Sequence, residues 1–344
     1  MIRWDPFREI LLARLREPLR EPEVVFWAFG FPLLLSLALG LAFRTKPPEK
    51  VYVAIEQGPG AEGVLATLSG DERFAAEVAS TEECARQLRL GKAAIVVAPG
   101  AGLEYRYDPT RPDSVLARTL VDDALQRAAG RKDARAPTER TVSEPGARYI
   151  DFLIPGLIGM NLMSAGMWGV GFAIVEMRSR KLLKRLVATP MRKSEFLGAV
   201  IASRFVFMAI ELALLLAFGR LVFGVEMRGT IVAAYLLGVV GALTFASLGL
   251  LIAMRAQRIE TVSGLMNLVM LPMFVFSGTF FSSERFPEFL QPFIQALPLT
   301  LLNDALRAVI NEGASIASQG LRLGALGLWM AVCFAVSLRW FRWS

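Results

Sequence analysis

Six stretches of roughly 20 residues run almost without charge, and nothing else in this chain restricts its fold as strongly. Residues 24–43 read VVFWAFGFPLLLSLALGLAF between Glu23 and Arg44. Comparable runs cover 152–175, 196–218, 231–254, 261–281 and 323–341; the third is interrupted by Arg204 and Glu211, and the last carries Arg339 near its end. Each is long enough to cross a hydrocarbon core as a helix, so the expected fold class is an α-helical polytopic membrane protein with six transmembrane helices. The first run reads as an uncleaved anchor: it exceeds a signal-peptide h-region, contains Pro32, and meets no small-x-small site before Arg44. Composition agrees, since 54% of the 344 residues are hydrophobic and only 20% charged, with a mean hydropathy of +0.46. A cytosolic enzyme is excluded on that balance.

With no histidine and only Cys84 and Cys333, a disulfide framework, a zinc site, any other metal site and histidine-based catalysis fall away. The formal charge of +7 is explained by topology rather than by nucleic acid. Residues 1–23, read as an amphipathic N-terminal helix, carry Arg3, Arg8, Arg14, Arg16 and Arg20. Residues 176–195 carry Arg178, Arg180, Lys181, Lys184, Arg185, Arg192 and Lys193. Both belong in the cytoplasm by the positive-inside bias, which places both termini there and residues 44–151 outside. The expected location is the cytoplasmic (inner) membrane of a bacterium.

Residues 44–151 read as an inserted extracytoplasmic α/β domain with its linker. Val51–Ile55 and Ala93–Ala98 are short apolar runs, and Leu103–Tyr107 alternates. Ser80 and Glu83 have capping-box spacing, which predicts a helix to about Leu90, and a second helix is expected over Asp113–Ala129. Residues 131–145, rich in charge and proline, are a linker. A spacer and a substrate-handling module are equally open for this domain.

Small residues recur every four positions at Ala165, Gly169 and Ala173, and at Ala234, Gly238, Ala242 and Ala246, which predicts packing faces. Arg204 and Glu211 lie seven residues apart and share a helix face. Arg204 has the length to snorkel to the headgroups. Glu211 fits two roles equally, polar glue within the bundle or the lining of a translocation path, because a charge at membrane depth faces protein or water.

Two segments depart from simple spans. In the loop after the second run, Leu182, Leu183, Leu186 and Val187 form one apolar stripe among Arg and Lys, and Thr189-Pro190 ends it. This short amphipathic helix can rest on lipid or dock in a groove of a cytoplasmic partner, and periodicity alone favours lipid. Residues 282–310 are apolar but broken by Pro287, Pro292 and Pro298 and dotted with Glu284, Glu288 and Asp304. Short re-entrant helices at the outer face fit that pattern, as does an interfacial loop without a gating role.

On these residues the chain resembles the type-2 ATP-binding-cassette (ABC) transporter permeases, in the branch with a large extracytoplasmic domain after the first transmembrane helix. The run Lys184-Arg185-Leu186-Val187-Ala188-Thr189-Pro190, after Glu176, is similar to that family's coupling-helix region. Pro272, Phe274, Ser277-Gly278, Phe281, Phe286-Pro287, Leu297-Pro298-Leu299-Thr300, Asp304 and Leu306-Arg307 follow its second motif, and Arg20-Glu21-Pro22 resembles its entry to the first span. The sequence departs at Lys181, where the family often has glycine, and at Ser282. The resemblance implies ATPase coupling through Glu176, Leu182, Leu183, Arg185, Leu186, Thr189 and Pro190. It implies an outer gate built on Ser277, Gly278, Phe281, Pro287, Pro298, Asp304 and Arg307. It further implies two permease chains, identical or paralogous, paired with two cytoplasmic ATP-binding subunits, so that ATP and Mg are bound by the partner and no cofactor by this chain.

The sequence lacks a phosphate loop of its own: its one Gly-Lys pair, Gly91-Lys92, is followed by Ala93. The expected function is the permease half of an exporter of an amphipathic, lipid-like or drug-like substrate, in contact with membrane lipid. The alternative is a membrane-anchored sensor that binds a ligand through its outer domain. A polytopic enzyme, like the sensor, ranks well below transport, since Glu211 stands alone mid-span and Asp304 lies near an outer rim.

Overall fold

The computed structural model describes residues 4–43, 50–100, 102–132, 146, 148–179, 193–254, 256 and 258–340. The chain separates into two units, residues 1–44 with 143–344 and residues 45–142. The first opens with α1 (Trp4–Leu19), a break at Arg20–Glu21, and α2 (Pro22–Ala42), which starts on a proline whose ring presets φ. A wide π turn over Phe26–Gly30 interrupts α2.

The inserted unit is built from β1 (Val51–Glu56), α3 (Ala61–Ser69), β2 (Phe74–Ala79), α4 (Thr81–Arg89), β3 (Ile95–Pro99), β4 (Leu103–Arg106) and α5 (Pro112–Ala128). The sheet order is β2-β1-β3-β4, with β1 parallel to both neighbours and β4 antiparallel to β3. Val53 and Ile55 on β1, with Ile95 and Val97 on β3, point to one face and pack with Leu68 of α3 and Val121 of α5. Ala54 and Val96 point to the other, where Cys84 of α4 covers them. The alternation of strand side chains thus divides one apolar sequence between two faces. Ser80 accepts the backbone N–H of Glu83 at 3.4 Å and starts α4. The sequence reading lacks α3 and β2. The first begins at Gly60 with φ +90°, and the second is mostly alanine and sits at the sheet edge.

The first unit continues with α6 (Tyr149–Ser179), α7 (Lys193–Phe223), α8 (Ile231–Ala253), α9 (Ile259–Phe276), α10 (Gln291–Ala296), α11 (Pro298–Ile310) and α12 (Gly320–Trp340). Among the described residues, six helices are long and apolar enough to cross a membrane: α2, α6, residues 201–223 of α7, α8, α9 and a segment over Ile316–Arg339. This is a polytopic α-helical membrane protein with an inserted α/β domain.

α6 and α7 outrun their uncharged stretches, because a charge ends a hydropathy window without ending a helix, whereas α9 stops at Phe276, short of the expected residue 281, where Gly278 turns the chain at φ +66°. Asp151 sits inside α6, where its carboxylate accepts the Arg148 backbone N–H at 3.2 Å and so caps the helix start. Likewise α7 runs through Arg204 and Glu211 until Gly224 turns the chain at φ +63°. The most buried of the spans are α6 and α8, and their shared core includes Leu157, Met163, Phe245 and Leu302.

The approach of α6 to α8 uses other small residues than the stripe expected on α6, while on the stripe expected on α8 a Cβ at Gly238 would stand 3.3 Å from Leu212 of α7. A Cβ at Gly166 would stand 2.7 Å from Phe245 Cβ, and one at Gly249 would stand 2.8 Å from Met167 Cα; a Cβ at Gly171 would collide with the Gly249 carbonyl. The contact therefore runs through Gly166, Gly171 and Gly249 rather than through Ala165, Gly169 and Ala173. The cause is a π turn over Met167–Phe172, which adds a residue and spaces the contacting glycines five apart instead of four.

Candidate functional site

The first cluster of polar contacts gathers where α9 ends. Pro272 removes one backbone donor from α9, Ser277 closes the last turn on Met273, and Gly278 takes φ +66°, which only glycine adopts without strain. The chain then reverses through two short 3-10 turns into α10 and α11. These are bent by 83° at Leu297, with Pro298 in the first turn of α11.

From α11, Asn303 donates to the Ser277 carbonyl at 2.9 Å and to Thr279 Oγ1 at 3.3 Å. One turn on, Arg307 donates to the carbonyls of Gly278 and, at 3.4 Å, Phe152, and faces Asp304 at 3.4 Å. Its guanidinium carbon lies 3.7 Å from the Phe152 ring centroid. A further turn on, Asn311 donates to the Asp151 carbonyl at 2.8 Å. Asp151 is held by the Arg148 fork at 2.9 and 3.0 Å, and Arg148 also donates to the carbonyls of Phe223 and Gly224 that end α7, at 2.8 and 3.1 Å. One continuous lock thus joins the start of α6, the end of α7, the turn after α9 and the whole of α11.

Bare backbone on α6 makes the lock possible. A Cβ at Gly156 would stand 2.5 Å from the Thr279 carbonyl, and one at Gly159 would collide with Asn303 Oδ1. Of the residues expected at an outer gate, Ser277, Gly278, Asp304 and Arg307 converge here and Pro298 sets the start of α11. Phe281 is exposed and Pro287 flanks a 3-10 turn, both apart from the lock. The sequence reading lacks Asn303, Asn311, Phe152, Gly156 and Gly159. A signal existed: Asn303, Arg307 and Asn311 repeat at four-residue spacing along an apolar helix.

The second cluster lies elsewhere in the same unit, in a small cleft of about 80 Å³ between α2, α6, α7 and α8. Ala165, Ala242 and Ala246 line it, while elsewhere on the same α8 stripe Ala234 is fully buried and a Cβ at Gly238 would stand 3.3 Å from Leu212 of α7, as a packing face requires. Arg204 turns into the bundle and donates to the Gly169 carbonyl at 3.2 Å, which corrects the expectation that it snorkels to headgroups. The π turn carries that carbonyl, and Gly169 lets the guanidinium reach it, since a Cβ there would stand 2.7 Å from Arg204 Cζ. Glu211 also lines the cleft; it is only 7% exposed, and its Oε2 has no hydrogen-bond partner. Of the expected ATPase-coupling residues, Glu176 sits in the last turns of α6. Leu182, Leu183, Arg185, Leu186, Thr189 and Pro190 lie outside the described residues.

With this architecture in place, the family follows. The profile described as ABC-2 family transporter protein matches residues 22–339, and the chain belongs to that family of membrane-embedded transporter subunits. Similar proteins include ABC transporter G family member 20 of Dictyostelium discoideum, 26% identical over 180 residues, covering 52% of this chain and 24% of that protein. The linearmycin resistance permease protein LnrN of Bacillus subtilis (strain 168) is 26% identical over 173 residues, 50% of this chain and 45% of LnrN. Nodulation protein J of Neorhizobium galegae is 26% identical over 197 residues, 56% of this chain and 73% of that protein. The chain thus spans less than half the length of the first two.

Proposed function

We propose that this chain is the membrane-spanning permease subunit of an ABC exporter, moving an amphipathic, lipid-like or drug-like substrate outward at the expense of ATP bound with Mg on a separate subunit. Family membership over residues 22–339 supports the permease class. The words permease and resistance in the name of a similar protein support outward transport. In this reading two permease chains pair with two cytoplasmic ATP-binding subunits, both termini are cytoplasmic, and the α/β unit lies on the far side of a bacterial inner membrane.

The observation that carries the mechanism is the continuity of α6. Its 31 residues span about 46 Å at ~1.5 Å per residue, from the lock at Asp151–Gly159 to Glu176 beside the basic loop. A displacement of that loop by closing ATP-binding subunits is delivered along α6 to α11 and the outer turn. Nucleotide binding then biases a two-state element, inward-open against outward-open. The residues on which the ATPase pushes are Glu176 and the stripe Leu182, Leu183, Arg185 and Leu186, ended by Thr189-Pro190. The outer gate is the lock of Ser277, Gly278, Asp304 and Arg307, with Phe281, Pro287 and Pro298 shaping its rim.

The double change Leu183→Asp and Leu186→Asp puts two charges into that apolar stripe. We expect ATPase activity to persist while export falls to background and membrane insertion stays normal, as for charges introduced at an interface hot spot. Export at the wild-type rate in inverted vesicles would overturn the assignment. Purification of the wild-type chain without any ATP-binding subunit would move the reading to a ligand sensor.

A further inference from the structure

A helix that carries displacement across a membrane must not give way in its middle, yet α6 has a π turn over Met167–Phe172, between the outer lock and Glu176. Such a turn closes its hydrogen bonds over five residues instead of four and is a usual place for a helix to yield. This one is held from two sides. The bare backbone at Gly171 presses on the Gly249 carbonyl of α8, and Arg204 of α7 donates to the Gly169 carbonyl, inside the turn, at 3.2 Å. The π turn of α2 is held in the same manner. Its Ala28 carbonyl stands four residues before Pro32, which has no N–H to offer, and Asn161 of α6 donates to that carbonyl at 3.2 Å. Both π turns among the described residues thus take a donor from a neighbouring helix.

We propose that Arg204 is a positioning residue for coupling: it braces the π turn so that α6 moves as one rod when the ATP-binding subunits close. The proposal rests on the exporter reading and adds to it the residue that keeps the moving helix stiff. A guanidinium at membrane depth meets little water, so a carbonyl holds it more firmly there than at a protein surface. Glu211, seven residues on along the same face of α7, is in electrostatic contact with Arg204 and balances its charge. The guanidinium reaches the turn only because Gly169 lacks a side chain: a Cβ there would stand 2.7 Å from Cζ and 2.8 Å from Nη1.

Gly169→Ala therefore displaces the far end of a flexible side chain while both charges stay in the protein. The first readout is hydrogen exchange by mass spectrometry on the full chain in phosphatidylcholine nanodiscs. Residues 167–176 should exchange faster than in the wild type by about tenfold or more, the scale of a lost charged hydrogen bond, with residues 231–253 unchanged. Helix propensity alone predicts the opposite sign, since alanine stiffens a helix relative to glycine. Arg204→Met combined with Glu211→Gln removes the donor and both charges and should loosen the turn equally, whereas Arg204→Lys retains a donor and part of the protection. Thermal melting separates a loosened turn from a misfolded chain, and the Met/Gln double variant decides the matter if Gly169→Ala proves unstable. The second readout uses the complex with the co-purified ATP-binding subunit. Trapping with ADP and vanadate should change the exchange of residues 277–286, at the outer turn, by about threefold or more in the wild type and not in Gly169→Ala. Unchanged or slower exchange at 167–176 in both variants overturns the brace. Faster exchange there with a wild-type response to vanadate overturns the coupling role. If the wild type brings down no ATP-binding subunit or ignores nucleotide, the exporter reading fails and the coupling role with it, while exchange in the isolated chain still decides the brace.

Discussion

Changing Arg307 to alanine is expected to abolish export and to lower the thermal stability of the purified chain sharply. The guanidinium serves two carbonyls, those of Gly278 and Phe152, one carboxylate and one ring face at once, and its side chain is only 14% exposed. Removal leaves buried acceptors without a donor on two separate elements. A charged hydrogen bond contributes about 1.5–3 kcal/mol, so the combined loss is roughly 3–5 kcal/mol after relaxation. Arg307→Lys keeps the charge but cannot reach several acceptors with a planar fork, and should retain part of the stability and little of the export. A double-mutant cycle with Phe152→Leu should return a coupling of about 1–2 kcal/mol. Wild-type export in Arg307→Ala vesicles would show that the lock serves stability alone.

A second large effect is expected at Gly171. A Cβ at this position would overlap the Gly249 carbonyl and stand 2.5 Å from Met266 Cε. The methionine can move aside, but the carbonyl is helix backbone in the last turns of α8 and cannot. Gly171→Leu should therefore force α6 and α8 apart where their backbones meet, costing about 3 kcal/mol or more from overpacking and lost contacts. Fluorescence-detected gel filtration should show aggregated or absent protein. Gly264 in α9 supplies the control: nothing lies within 4 Å of its Cβ position. Gly264→Ala should leave the profile unchanged or stabilise the helix by about 0.5–1 kcal/mol. Normal folding of Gly171→Leu would show that the two helices do not depend on this approach.

What the sequence made legible follows from which forces are local. Hydrocarbon-length apolar runs announce themselves residue by residue, so six membrane-length helices could be expected. The Ser80 cap and the buried strand over Ile95–Val97 needed only neighbours in the chain. Asn303, Arg307 and Phe152 could not be grouped in advance, because the lock joins positions about 150 residues apart through backbone carbonyls that no side-chain pattern records. The stripe on α6 at Ala165, Gly169 and Ala173 misled for a different reason. Four-residue spacing assumes an uninterrupted α-helix, and the π turn at Met167–Phe172 breaks that assumption. Arg204 was misplaced for the same reason: its acceptor, the Gly169 carbonyl, becomes reachable only on the widened turn.

That turn has a further consequence for reading the evolution of α6. An extra residue in a helix advances everything after it by about 100°, so the stretch from Ala173 to Ser179 is out of phase with the stretch from Tyr149 to Gly166. Any homologous helix that lacks the wide turn can match both stretches only if its alignment opens a one-residue gap between Met167 and Phe172. Ungapped alignments would assign the wrong faces to one half of the helix, and with them the wrong neighbours to Glu176.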